Sequence, residues 1–240
     1  MDKVFDLLPS QREFVCSTAK FRHAIGGISS GRTTAVVYLT ALIAQSFSNN
    51  CILIGRFRWG DLMATTKISF IDMLDTLGFD YEFKVSEQTL TMGNGTKVLF
   101  RELGEDSIHG LMGLSLGAFV IEQLEEVPER NYWRLRSKLF RQDLILSRWG
   151  EENPEIVRLF YKNWQRISIT TSYGVPPDWI RDLWKDPAES RYEAIYFYTR
   201  DNVPNLPKEY TRNDLLESKI LKNYLEGSWD GGSNENSDLY

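Results

Sequence analysis

The chain has 240 residues, 42% of them hydrophobic and 13% aromatic, enough to bury one large α/β domain with a small subdomain and to exclude disorder. Its 28 basic and 33 acidic residues leave a net charge of −5, so DNA contact is not supported by bulk charge and would need a local basic face. No run approaches the ~18 apolar residues of a membrane span. The first four residues lack the basic-then-apolar order of a signal peptide, and a soluble cytoplasmic protein is expected.

In chain order, Ser10 is placed to cap a helix running through Arg12 and Phe14 to Ala19. A short apolar run, His23-Ala24-Ile25, then enters Gly26-Gly27, and Ala35 to Ser46 reads as helix. Asn49-Asn50 turns into the buried strand Cys51–Gly55, and Leu62 to Leu77 has helical periodicity ended by Gly78. Two strands, Phe83–Met92 and Thr96–Leu103, flank Asn94-Gly95, a strong hairpin signal that places an antiparallel addition at one sheet edge. Ala118–Ile121 is a further buried strand, and Pro128 opens a helix reaching about Arg141. Arg166–Thr171 and Ala194–Tyr198 read as strands around a helix at Trp179–Trp184, and the polar, glycine-rich end reads as a linker. The fold class is therefore α/β, a mostly parallel central sheet flanked by helices. Cys16 and Cys51 match no metal spacing and are expected as two buried thiols in a reducing compartment.

Strand, glycine-rich loop and helix is the order of a phosphate-binding loop. Gly26-Gly27-Ile28-Ser29-Ser30-Gly31-Arg32-Thr33, followed by Thr34, fits that pattern except that Arg32 stands where lysine is expected. Glycines let backbone N–H groups converge on phosphate oxygens, and the helix N-terminus favours an anion. Arg32 keeps the positive charge but exchanges a compact ammonium for a planar fork, and Thr33 supplies a hydroxyl for Mg²⁺. A Gly/Ser turn between strand and helix is the alternative reading of the loop when it is taken alone.

About 90 residues later the Ala118–Ile121 strand ends in Glu122, a carboxylate suited to a hard cation, although an ordinary strand-end acid has the same pattern. The next residue, Gln123, stands where the glutamate that activates water is usual; an amide positions water but is a weak proton acceptor. Glu125 and Glu126, two or three positions further, are expected to point elsewhere. Arg130, Arg134, Arg136, Lys138 and Arg141 form either a local basic face or a solvated helix face. Trp133, Trp149, Trp164 and Trp179 read as core or interface anchors, and neither His23 nor His109 has a paired acid or metal spacing.

Taken in order, Leu8-Pro9-Ser10-Gln11, the Gly26–Thr33 loop, the Asn94-Gly95 hairpin, Val120 through Glu129, Ile167 through Gly174 with Asp178-Trp179-Ile180, Asp201-Asn202 and Tyr224 through Asp230 resemble the ATPase domain of the large terminase subunit of tailed bacteriophages. The resemblance covers about Leu7 to Asp230. It implies a P-loop ATPase domain over 1–228, with a small lid from about 200, a linker at 229–240 and no nuclease domain. It implies ATP and Mg²⁺ as cofactors, with Gln11 on adenine, Gly26 through Thr34 on phosphates, Thr33 and Glu122 on the metal, and Arg32, Glu122 and Gln123 as the catalytic set. Thr171 and Ser172 fall on the coupling motif, where Ser172-Tyr173 replaces the usual Asn-Pro. Any arginine finger would come from Arg56, Arg130, Arg136 or Arg141. The implied function is ATP-driven packaging of double-stranded DNA into a procapsid, in a homo-oligomeric ring docked on a portal protein with a small terminase subunit, in the host cytoplasm and away from any membrane. The alternative is a nucleotide-binding but hydrolysis-poor module on the same fold, which Arg32 and Gln123 would suit.

Overall fold

The computed structural model describes residues 6–105, 111, 113–141, 144–160, 167–173, 178–185 and 191–206. Proline at the first helical position lacks only an N–H that would have no partner there, so α1 (Pro9–Cys16) begins at Pro9 rather than behind a Ser10 cap. Gln11 Oε1 accepts the Leu8 N–H at 2.9 Å, and the helix stops at Cys16, short of Ala19. The free carbonyls at its end are met from the next strand, β1 (Phe21–Gly26): the buried Arg22 guanidinium donates to Phe14, Val15 and Ala19 oxygens. Burial lowers the Arg22 pKa to about 10.

Helix α2 (Arg32–Ser46) is buried around most of its circumference, as its apolar run from Ala35 requires. It leads through the two-residue β2 (Phe47–Ser48) and Asn49, at φ 55°, into β3 (Cys51–Arg56). A helical stretch then starts at Trp59–Asp61, widens into a π-helical turn at Leu62–Thr66 and continues as α3 (Lys67–Leu77), ended by Gly78 at φ 68°. The expected Phe83–Met92 strand is two strands, β4 (Tyr81–Lys84) and β5 (Thr89–Met92), because Gln88 at φ 48° reverses the chain between them. The Asn94-Gly95 turn then joins β5 to β6 (Lys97–Glu102), with only Gly95 at positive φ. After β7 (Ala118–Ile121) and a 3-10 turn, Leu124–Glu126, come α4 (Glu129–Arg136), β8 (Ile145–Leu146), α5 (Arg148–Glu152), α6 (Pro154–Phe160), β9 (Ile167–Ser172), α7 (Asp178–Lys185) and β10 (Tyr192–Phe197). Helix α4 ends at Arg136, five residues before the expected Arg141, and the short β2–β8 pair and α5 had no counterpart in the hydrophobic pattern.

The main sheet runs β10-β1-β9-β7-β3-β6-β5-β4. From β10 to β6 all pairings are parallel, and β5 and β4 add antiparallel at one edge, as the hairpin signal predicted. Both faces are covered. Ile52, Ile54, Val98, Phe100, Val120 and Ile169 face α1, α2 and α3, while Leu53, Phe119 and Ile121 pack with Tyr132, Leu135 and Ile180 on the other side. Because β1 and β3 are consecutive through α2 yet separated in the sheet by β9 and β7, the carboxyl ends of the central strands form a topological switch point, the place where open α/β sheets bind ligands.

Two surface expectations change. Cys16 is exposed, because it ends α1 on the outer side, and Cys51 is only partly buried, with its thiol pKa pushed up by burial. The arginines around α4 do not form one free face: Arg130 pairs with Glu105, Arg136 lies over the Phe21 ring at 4.0 Å, and Arg141 donates to Asn49 and Ser115 oxygens. Trp149 packs edge-on against Phe79 and Trp179 lies tilted against Tyr132, as anchors, whereas Trp133 is 42% exposed. His109, Trp164, Gly174, the Tyr224–Asp230 segment, the lid beyond residue 206 and the 229–240 linker lie outside the described residues.

Candidate functional site

The phosphate-loop pattern folds as a compact turn at the end of β1. Gly26 is closely packed, and a Cβ there would lie 2.3 Å from the Phe197 carbonyl oxygen of β10. Ser29 and Gly31 take left-handed backbone, at φ 59° and 83°, which turns the chain into α2. Neighbouring side chains hold the outer carbonyls. Thr199 Oγ1 donates to Ile28 O at 2.6 Å, Asn202 Nδ2 to Ser29 O at 2.7 Å, and Gln11 Nε2 to Gly31 O at 3.0 Å. Thr199 and Asn202 belong to a 3-10 helix, Thr199–Asn205, directly after β10. Gln11, expected on adenine, thus has both ends of its amide engaged by its own chain. Ile28 is 42% exposed at the loop's tip, and the buried Ser30 Oγ has no partner among the described residues.

Helix α2 begins at Arg32, so Thr33 and Thr34 stand in its first turn. Thr33 Oγ1 donates to Glu122 Oε1 at 2.6 Å, across 89 residues of sequence, which joins the loop to the end of β7. Thr66 Oγ1 donates to the other carboxylate oxygen, Oε2. Gln123 follows with left-handed backbone, at φ 56°; its N–H donates to Thr171 Oγ1 at 3.0 Å, and its enclosed Oε1 has no partner among the described residues.

Arg32 does not extend freely from the loop. Its buried guanidinium donates to Ser172 O at the end of β9 and lies 3.8 Å over the Tyr173 ring. Burial pulls its pKa down, and Tyr173, Glu125 and Glu122 partly restore the charged form. Glu125 is therefore not directed away from the site, contrary to its spacing beyond the strand end. The 3-10 turn folds it back, so that Oε1 accepts the Tyr173 N–H at 2.8 Å while Oε2 is enclosed without a partner among the described residues. Burial raises its pKa to about 7 against the opposing pull of the Tyr173 N–H and Arg32.

His23, which has no signature in the sequence, lies under this cluster with no exposed surface. Its Nδ1 is 2.7 Å from Thr170 Oγ1 and its Nε2 is 2.8 Å from Ser172 Oγ. Thr170 Oγ1 already donates to Arg22 O, which assigns the His23 proton to Nδ1 and makes Nε2 the acceptor. Burial, then the charge of Arg32, lowers its pKa to about 3, so the ring is neutral. Thr171 and Ser172, the expected coupling pair, thus touch Gln123 and Arg32 respectively, and His23 fixes the strand that carries them.

Among the described residues no three His, Cys, Asp or Glu side chains gather as a metal cluster. The Thr33 hydroxyl and Glu122 carboxylate are nevertheless an all-oxygen pair 2.6 Å apart at a helix N-terminus, the donor chemistry of Mg²⁺ beside phosphate. The partnerless Ser30 hydroxyl and the helix N-terminus suit an anion at the same place.

No family model matches the chain, and no curated protein does. Solved structures do. The large terminase of the thermophilic bacteriophage D6E in complex with ADP superposes with a TM-score of 0.73 at 15% identity, over 93% of this chain and 54% of that one. The Thermus phage P74-26 large terminase ATPase domain gives 0.60 at 13% identity, over 95% and 98%. The HK97 bacteriophage large terminase gives 0.54 at 15% identity, over 90% and 43%. The chain spans about half the length of the D6E protein and nearly all of the P74-26 domain. The fold is that of the large-terminase ATPase domain.

Proposed function

We propose that this chain is the ATP-binding and hydrolysing motor domain of a viral large terminase, with Mg²⁺ as its metal. The observation that carries it is the Thr33–Glu122 hydrogen bond, which unites the glycine-rich loop and the strand-end acid at the carboxyl ends of the central strands, where open α/β sheets bind ligands. The D6E protein of the same fold was solved in complex with ADP and with ATP-gamma-S, which supports nucleotide as the ligand.

In this reading the N–H groups from Ile28 to Thr33, at the start of α2, bind the phosphates, while the Gly27 N–H donates to the Phe197 carbonyl oxygen at 3.3 Å. Thr33 and Glu122 would hold Mg²⁺, which would supply charge neutralisation for the phosphate oxygens. Arg32 meets the terminal phosphate only by leaving Ser172 and Tyr173, so arrival of nucleotide changes what the end of β9 holds. Gln123, whose backbone N–H is held by Thr171 Oγ1, orients the water whose oxygen bonds to the terminal phosphorus as the bridging P–O bond breaks, with the water's proton passing to a phosphate oxygen. Gln123 cannot take that water's proton, which makes turnover slow. Translocation of double-stranded DNA, a homo-oligomeric ring, a portal and a small terminase subunit belong to the same proposal.

A second reading, a nucleotide-binding module with little hydrolysis, is favoured by the caged Arg32 and by Gln123. Steady-state hydrolysis separates the two. The motor reading expects measurable turnover that rises at least about a hundredfold in Gln123→Glu, the low end of the usual range for a positioned general base. No turnover by either folded protein supports the second reading.

A further inference from the structure

Each oxygen of Glu122 accepts a threonine hydroxyl. Oε1 receives Thr33 from the phosphate loop, and Oε2 receives the hydroxyl of Thr66, from the helical stretch after β3. Thr66 is 1% exposed and closes the π-helical turn Leu62–Thr66. A helical threonine ordinarily returns its hydroxyl to the carbonyl four residues earlier, as Thr40 does to Val36, Thr65 to Asp61 and Thr76 to Asp72. Thr66 departs from that pattern and spans 56 residues of sequence to reach a carboxylate. The π turn permits it, because its extra residue rotates the register of the following helix; such turns occur mostly at functional sites. Arg56, at the end of β3, braces the turn by donating to Thr65 Oγ1 at 3.0 Å.

We infer that Thr66 is a positioning residue for the metal-holding acid, acting through Glu122 in the nucleotide-and-Mg²⁺ site proposed above, on which this inference rests. A carboxylate free to rotate offers a cation either oxygen in many orientations. The Thr66 donor fixes the plane of the carboxylate, so that Oε1 faces the Thr33 hydroxyl. Thr66 is too enclosed to touch nucleotide, so its effect is confined to the metal-dependent part of binding.

The test is calorimetric titration of ADP into the wild type, Thr66→Val and Thr66→Ser, each with Mg²⁺ and with EDTA. Thr66→Val keeps the shape and removes the donor. Loss of a hydrogen-bond partner to a metal ligand costs about 10–100-fold in metal affinity. The gain in ADP affinity on adding Mg²⁺ is therefore expected to shrink at least about tenfold in Thr66→Val, with affinity in EDTA unchanged and the gain restored in Thr66→Ser. An undiminished Mg²⁺ gain in Thr66→Val, an equal loss with and without metal, or no rescue by serine overturns the inference while leaving the nucleotide site standing. A folded wild type that binds no ADP in either condition overturns the nucleotide reading and this inference with it.

Discussion

Replacing Glu125 with glutamine isolates the charge that the fold encloses beside Arg32. In the folded chain the Glu125 pKa is raised from 4.5 to about 7, first by burial. A raised carboxyl pKa means that the native state binds the proton more tightly than the unfolded one. Between the two values stability therefore falls as pH rises, and above about pH 7 the full cost is present. At about 1.4 kcal/mol per pH unit, the gap amounts to roughly 3 kcal/mol at pH 8 and under about 1 kcal/mol at pH 5. The Glu125→Gln amide carries no charge at any pH, so any packing penalty it introduces is the same at both. The stability difference between wild type and variant is expected to move by about 2.5 kcal/mol in the variant's favour from pH 5 to pH 8. Urea unfolding of both proteins at the two pH values measures this. A difference that stays constant with pH, or moves the other way, refutes the enclosure of Glu125.

Gly31→Ala places a Cβ at left-handed φ and 2.6 Å from Gln11 Nε2, so it is expected to cost about 1–3 kcal/mol in thermal unfolding and to weaken nucleotide binding. Unchanged stability contradicts the strained loop. Arg22→Met leaves the terminal carbonyls of α1 without their buried donor and is expected to lower stability by about 2–4 kcal/mol in urea; a loss below about 0.5 kcal/mol contradicts that role.

Most of the sheet was legible because buried parallel strands are short apolar runs and glycines mark their ends. The Asn94-Gly95 signal placed the antiparallel edge for a local reason, since turn chemistry acts within four residues. What escaped the pattern depends on distant partners. Phe83–Met92 reads as one strand until Gln88 adopts positive φ, and β2 pairs with β8 over about a hundred residues. Within the site, Thr33 and Glu122 were legible from loop and strand-end spacing. His23, Thr66 and Glu125 were not, because a buried histidine, a helical threonine and a turn glutamate carry no spacing signature. Only the packing of β1 against β9, the π turn and the 3-10 turn bring them to Arg32 and Glu122. Arg32 was legible as the loop's cation, but its capture by Ser172 and Tyr173 depends on a strand 140 residues away.

Equilibrium titration of the wild-type chain with a fluorescent ATP analogue, with and without Mg²⁺, tests the nucleotide site most directly. Saturable binding that tightens with Mg²⁺ is expected from the Thr33–Glu122 pair. Absence of saturable binding by the folded protein at millimolar nucleotide would contradict it.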